Sequence, residues 1–302
     1  MTSNNSSTIN RIEENLQSAP EKVTSSFQIQ DYVLKHFERL GMRPHLLGRC
    51  NICGGYSAFF SQNENYRESL VCAVCKTISR YRSIARGILL AISELRGIEA
   101  RSILEINRII EGASLKIYDT QVPFCYENGS YPIPYLLSKC EWIDVQTSSY
   151  MPQEPWGVEL GTNITNQNLE QLTFLDNSFD IVITADVMEH VRLDARAHQE
   201  IRRVLKPGGI YLFTVPHFRH QSESMIRVVV TDPLDPSKDQ FVMEKEYHGD
   251  AKPDSRPLSY RAYGTDLDKY LLSLGFAVDY SKQNFPDIGI MNTELFFCRL
   301  SK

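Results

Sequence analysis

No stretch of this 302-residue chain holds the roughly twenty consecutive apolar residues that a membrane-crossing helix needs. The opening, MTSNNSSTINRIEENLQ, lacks the basic-then-apolar order of a secretory leader. The sequence therefore predicts a cytoplasmic protein with no membrane partner. A basic excess is missing too: 32 Lys and Arg against 37 Asp and Glu leave a net charge of -5. Nothing in that balance advertises a phosphate backbone, so nucleic acid is not the expected partner. Oligomeric state leaves no mark that the sequence can be read for.

What is present suits one α/β domain with a small appendage, because 42% hydrophobic residues over this length can bury a large core. Residues 1–26 are rich in Ser, Thr, Asn and Glu, and with few large apolar side chains they predict a disordered tail. Over 27–49 a helix and linker follow, with Phe27, Ile29, Val33, Phe37 and Leu40 on one side and Gly41 as the stop.

Four of the seven cysteines then form two tight pairs, Cys50-x2-Cys53 and Cys72-x2-Cys75, with eighteen residues between them. In a reducing compartment such pairs suggest metal thiolates rather than disulfides. Two knuckles of this kind put four thiolates around one tetrahedral Zn2+, so 50–77 reads as a zinc ribbon. Unligated buried cysteines and a thiol redox centre are the alternatives. A full set of four thiolates leaves no position for water, which makes such a zinc structural.

Residues 78–96 predict a long amphipathic helix with Gly97 as its stop. Arg80, Arg82 and Arg86 make a basic face on it, explained most simply as solvated surface. Further on, 172–218 reads as strand, helix, strand. The runs FDIVIT (179–184) and IYLFTV (210–215) are apolar enough for a parallel sheet buried on both faces. Between them Ala197, Ile201, Val204 and Leu205 share one helix face, and Pro207-Gly208-Gly209 is placed to end it. Such a unit is a right-handed crossover, so ligands are expected at the carboxyl ends of the strands, where ADVMEH (185–190) and Pro216-His217 lie.

An FD-hydrophobic strand, an acid followed by EH, a helix ending in RVLKPGG and an aliphatic strand together resemble the later half of a class I S-adenosylmethionine-dependent methyltransferase (methyltransferase type 11-like). The resemblance covers roughly 100–300. It implies a doubly wound, mostly parallel, Rossmann-like sheet of seven strands over 78–302, the last strand antiparallel, with the zinc ribbon appended at the N-terminal side. The cofactor it implies is S-adenosylmethionine.

Two registers compete for the first strands. In one, SILEI (102–106) is the first strand and Asp119 the acid that holds the ribose. In the favoured one, LKIY (115–118) is first, 131–139 is the helix and 142–145 the second strand, with Asp144 as that acid. Neither register has a GxGxG, since the loop over 119–130 contains only Gly129. By the same resemblance Asn168 takes the place of the adenine-binding acid, and cofactor contacts are expected from Asp119, Asp144, Asn168 and Asp186. His190, His217 and His248 are the candidate bases.

An insertion over 217–259 is long and polar enough for a lid, and its EYHGD stretch resembles one in zinc-ribbon members of the superfamily. The implied activity is methyl transfer to a small-molecule or sugar-type acceptor, since some sugar-nucleotide methyltransferases are similar in layout. A non-catalytic binding or scaffold relative that lost the cofactor loop is one alternative; an RNA methyltransferase is the other.

Overall fold

The computed structural model describes residues 35, 43–109, 113–121, 132–248 and 256–301. The tail expected over 1–26, all but Lys35 of the helix expected before Gly41, most of the loop over 119–130 and the Gly249-Asp250 end of the EYHGD stretch lie outside them. The chain divides into two units. One comprises Met1–Gly112, Pro123–Trp142 and Lys282–Glu294; the other comprises Ala113–Val122, Ile143–Ser281 and Leu295–Lys302.

In the first unit, β1 (Leu46–Arg49), β2 (Tyr56–Phe60) and β3 (Val71–Cys72) form an antiparallel ribbon in that order. Helix α1 (Ser79–Arg96) buries Ile84, Ala85, Ile88, Ala91 and Ile92 and ends at Gly97, whose φ of 67° is the left-handed cap a glycine adopts without strain. Residues Ile103–Ile106 are helical (α2), with the Ser102 hydroxyl accepting from the Glu105 amide. That helix removes the register in which SILEI is the first strand. A short helix, α3 (Ile133–Leu137), falls within the segment expected to be helical.

Arg82, expected on a solvated basic face, is fully buried. Its guanidinium donates to the carbonyls of Gly289 (2.9 and 2.7 Å), Thr77 (2.6 Å) and Leu70 (2.7 Å), and it lies 4.7 Å from the Phe59 ring centroid. Arg80 instead pairs with Glu68, and Arg86 lies over the Phe285 ring. The planar, five-donor guanidinium reaches three carbonyls at once, so one side chain ties the ribbon, α1 and the turn at Gly289 together.

The second unit is built on a sheet. Its parallel centre is β4 (Leu115–Asp119), β5 (Ile143–Ser149), β7 (Ile164–Asn166), β8 (Phe179–Ala185) and β9 (Leu205–Thr214), with β6 (Glu159–Gly161) as an edge strand antiparallel to β7. Helix α4 (Asp194–Val204) crosses over between β8 and β9. The insertion and the residues just after it form two small antiparallel pairs. They are β10 (Met225–Ile226) with β13 (Arg261–Ala262), and β11 (Val228–Val229) with β12 (Gln240–Phe241). Helix α5 (Asp266–Ser273) leads to β14 (Phe276–Phe285) and β15 (Ile290–Leu300), and β15 runs antiparallel to β9.

The order is β14-β15-β9-β8-β4-β5-β7-β6, eight strands where seven were expected, the additional one being the exposed β6. A second difference concerns LKPGG. The helix stops at Val204 and the strand begins at once at Leu205, which pairs with Phe179, before the register shifts and Ile210 pairs with Ile181. Pro207-Gly208-Gly209 therefore forms an irregularity inside β9 rather than a turn ahead of it. Gly208 takes a φ of 78°, and a Cβ on Gly209 would come within 2.8 Å of the Lys206 carbonyl oxygen.

Replacing Arg82 by Met keeps most of the side-chain volume but strands three buried carbonyls. Each costs about 1–3 kcal/mol, so urea denaturation is expected to show a loss of at least about 3 kcal/mol, and Arg82→Lys recovers only part of it. A loss below about 1 kcal/mol would contradict this role.

Candidate functional site

β8 is the strand around which the site is ordered. Phe179 to Thr184 are all buried, and the strand pairs in parallel with β4 on one side and β9 on the other, so the carboxyl ends of the three open on one edge. At the end of β4 stands Asp119, buried, its Oδ1 accepting from the Gln121 amide at 2.9 Å. Burial pushes its carboxyl up to about 7 from an ordinary 3.8, with the Gln121 hydrogen bond pulling the other way.

Just past β8, Asp186 adopts a φ of 51°, a left-handed turn that aspartate tolerates. The Thr214 hydroxyl donates to Asp186 Oδ1 at 2.7 Å, fixing the carboxylate against the end of β9. Asn168 follows β7, and its Oδ1 accepts from the Glu170 amide at 3.0 Å in a local turn. These three side chains share the carboxyl edge.

Asp144 does not. The second strand runs on to Ser149, well past its expected end at Val145, so Asp144 is the second residue of β5 and pairs in register with Lys116 near the start of β4. Its carboxylate lies 3.7 Å from the Lys116 ammonium. Counting residues located the strand but not its length; what stands opposite Asp119 is Thr147.

The three histidines also separate. His217 is buried, its Nε2 lies 3.1 Å from the Gly264 carbonyl oxygen, and its ring packs 5.0 Å from those of both Tyr280 and Phe296. Its side chain is fully buried there, whereas its place after the strand was expected to be an open one. His190 and His248, by contrast, meet edge to face with ring centroids 4.8 Å apart. Glu189, wholly buried, places Oε1 3.8 Å from His190 Nε2 and 3.8 Å from His248 Nδ1.

Contacts from the insertion and the residues just after it hold this cluster. The Tyr260 amide donates to the Glu189 carbonyl (2.8 Å), and the Tyr263 hydroxyl lies 3.1 Å from the Met188 carbonyl oxygen. The His248 amide donates to the Pro257 carbonyl (3.1 Å), and the Ser259 amide to the Glu246 carbonyl (2.8 Å). His248, carried by the insertion, lies against Glu189.

Arg192 anchors the same segment, with Nε and Nη2 each 2.7 Å from the Asp239 carboxylate and further bonds to the Pro233 and Asp232 carbonyls. Nothing in its sequence spacing marks Arg192 for that task. Glu246 was legible in principle, since in an extended segment residues two apart share a face, and His248 Nε2 lies 3.0 Å from Glu246 Oε1.

A cavity of about 820 Å³ lies beside this turn, lined among others by Arg192, Leu193, Val228, Arg261, Tyr263 and Tyr270. None of the seven expected catalytic and cofactor residues lines it.

In the first unit Cys50, Cys53, Cys72 and Cys75 are all buried, and their sulfurs lie within 4.8 Å of one another. Cys50 and Cys75 sulfurs are 3.7 Å apart. Zinc–sulfur bonds of about 2.3 Å at tetrahedral angles give edges of about 3.8 Å, so the donor set fits such an ion. The Ser57 hydroxyl, 3.2 Å from Cys72 Sγ, and the Thr77 hydroxyl, 3.0 Å from Cys75 Sγ, are placed to support the thiolates.

Residues 139–213 match the methyltransferase domain family. Glycine/sarcosine/dimethylglycine N-methyltransferase of Actinopolyspora halophila is 40% identical over 60 residues, which make up 20% of this chain and 11% of that protein. A Mycolicibacterium smegmatis protein named as a probable S-adenosylmethionine-dependent methyltransferase is 38% identical over 55 residues, 18% of this chain and 21% of that one. The matches thus span far less than two thirds of either relative. Among solved structures, an S-adenosylmethionine-dependent methyltransferase from Mesorhizobium loti is 15% identical, covering 62% of this chain and 91% of its own, with a TM-score of 0.38.

Asp119 makes stability depend on pH. Its folded-state value is raised, so between about pH 4 and 7 the folded chain holds a proton that the unfolded chain has released, and this contribution to stability is lost as pH rises through about 7. Asp119→Asn removes the dependence. Thermal unfolding across this range is expected to favour the variant increasingly over the wild type as pH rises; parallel profiles would contradict the raised value.

Proposed function

We propose, from the premise that the chain carries a class I S-adenosylmethionine-dependent methyltransferase domain, that it transfers a methyl group from S-adenosylmethionine to a small-molecule acceptor. The observation that carries the reading is the methyltransferase-family match over 139–213, which falls on the strands whose carboxyl ends bear Asn168 and Asp186, beside Asp119 on β4. The bound cofactor would supply an electrophilic methyl on a positively charged sulfonium. Towards that group, Asp119 offers a carboxylate, Asn168 an amide carbonyl that can also accept a hydrogen bond, and Asp186 a carboxylate held in place by Thr214.

On the acceptor side lies the cluster of Glu189, His190 and His248, which orients the attacking atom and draws its proton away. Near this cluster, though lined by none of its three residues, lies the cavity of about 820 Å³, within the range of about 300–1,000 Å³ typical of small-molecule sites. The A. halophila relative is named for amino-acid-sized acceptors. A sugar-type acceptor has in its favour only the layout of the chain. Net acidity continues to speak against RNA.

A second reading, a methyltransferase-like binding protein without catalysis, is favoured by one observation: β5 ends in Thr147-Ser148-Ser149, with its acid at the opposite end. Calorimetry separates the two. Under the first reading S-adenosylmethionine binds saturably, and Asp119→Asn weakens binding by about 1–3 kcal/mol, whereas Asp144→Ala leaves it unchanged. Affinity should also fall as pH drops below about 7, where Asp119 takes up a proton and no longer faces the cation with a charge. No heat at any concentration favours the second.

For the first unit we propose a structural zinc held by Cys50, Cys53, Cys72 and Cys75. Purified chain is expected to carry about one zinc on these thiolates, and Cys72→Ser to release it and lower the unfolding midpoint, because metal binding here is also folding free energy. Metal analysis that finds none in protein purified without chelator would rule this out.

A further inference from the structure

We infer that Glu189, His190 and His248 form a second metal site, a two-histidine, one-carboxylate centre for a divalent transition-metal ion. Its basis is the convergence of three possible ligand atoms within 4.8 Å of one another, with the other nitrogen of each ring already engaged by an acceptor. His190 Nδ1 lies 2.9 Å from the Leu258 carbonyl oxygen, which can only accept, so that nitrogen carries the hydrogen. His248 Nε2 lies 3.0 Å from a Glu246 carboxylate oxygen, which also accepts, so the hydrogen of that ring is there. In the neutral rings, the remaining nitrogens, His190 Nε2 and His248 Nδ1, are therefore lone pairs. Both face Glu189 Oε1, each from 3.8 Å.

Three electron-rich atoms thus converge around a carboxylate wholly shut off from water. A proton does not bridge them well, because 3.8 Å is beyond hydrogen-bond reach. An ion does. Bonds of about 2.0–2.1 Å to imidazole nitrogen and carboxylate oxygen put such donors roughly 3.4 Å apart in a tetrahedron, and the three donor atoms already lie within 4.8 Å of one another.

The surroundings are those a metal ligand requires. Each histidine has its non-ligating nitrogen held by an acceptor, and Glu246 is in turn paired with Arg227. Two imidazoles and one carboxylate leave coordination positions open, and they suit zinc, iron or cobalt better than magnesium or calcium. An ion there would polarise an acceptor hydroxyl or amine and lower its pKa, which is how the cluster would draw off the proton. That consequence rests on the methyltransferase reading; ion binding itself does not.

The test is an equilibrium titration of the full chain with Zn2+ alone, followed by a competing chromophoric chelator, with no S-adenosylmethionine present. Two classes of site are expected, the tighter being the four cysteines. His190→Ala and His248→Ala should each weaken the second class at least tenfold and leave the first intact. Glu246→Gln, which touches no ion, should weaken it by about 10–100-fold through the orientation of His248. Circular dichroism checks that the variants fold, and His248→Ala, on its loop, keeps the test open should His190→Ala fail to fold. A single class of about one zinc per chain, or a second class unchanged in both histidine variants, overturns the inference. Failure of S-adenosylmethionine to bind in calorimetry, with the second zinc class present, would sink the methyltransferase reading and leave the metal site standing.

Discussion

Parallel pairing of β8 with β4 and β9 is the constraint on which the rest of the second unit depends. A strand whose first six residues are buried must satisfy its backbone groups on both sides, and parallel ladders do so only when all strands point the same way. Their carboxyl ends then lie along one edge. Every loop leaving that edge, whether it carries Asp119, Asn168 or the MEH turn, is brought to the same rim without any attraction between the loops themselves.

On this rim the insertion acts as a second layer of constraint. Hydrogen bonds from residues 257–263, some from the backbone and one from the Tyr263 hydroxyl, fix both the turn bearing Glu189 and His190 and the segment bearing His248. Loop residues are ordinarily the mobile ones, yet here a buried carboxylate is the surface against which two imidazoles are set. The insertion and the turn thus bring a carboxylate and two imidazoles to one point, with their ligand atoms within 4.8 Å of one another.

The first unit solves a different problem. A ribbon of three short strands has too little apolar area to hold itself together, and small modules of that kind depend on a metal or on anchoring to a neighbouring element. Four convergent cysteines and the Arg82 guanidinium supply both within one unit. Gly289 is part of the same anchor. Its φ of 71° and its contact with the Phe59 ring leave no space for a Cβ, and its carbonyl receives two of the guanidinium's bonds.

By itself the sequence determined what depends on local pattern. The apolar runs of β8 and β9, the helical stripe from Ala197 to Val204, the CxxC pairs and the stop at Gly97 are all set by residue type and spacing over a few positions, and each was legible. Tertiary structure decided what depends on where distant segments meet. Whether Asp144 stands at the start or the end of its strand follows from how far β5 stays paired with β4 and β7, which no local count of residues contains. Arg82 looks like any surface arginine until the carbonyls of Leu70, Thr77 and Gly289 surround it. His217 and His248 are indistinguishable as letters; one is enclosed by Tyr280 and Phe296, the other set against Glu189, because side-chain chemistry is fixed by the chain but its surroundings come from contacts made across tens of residues.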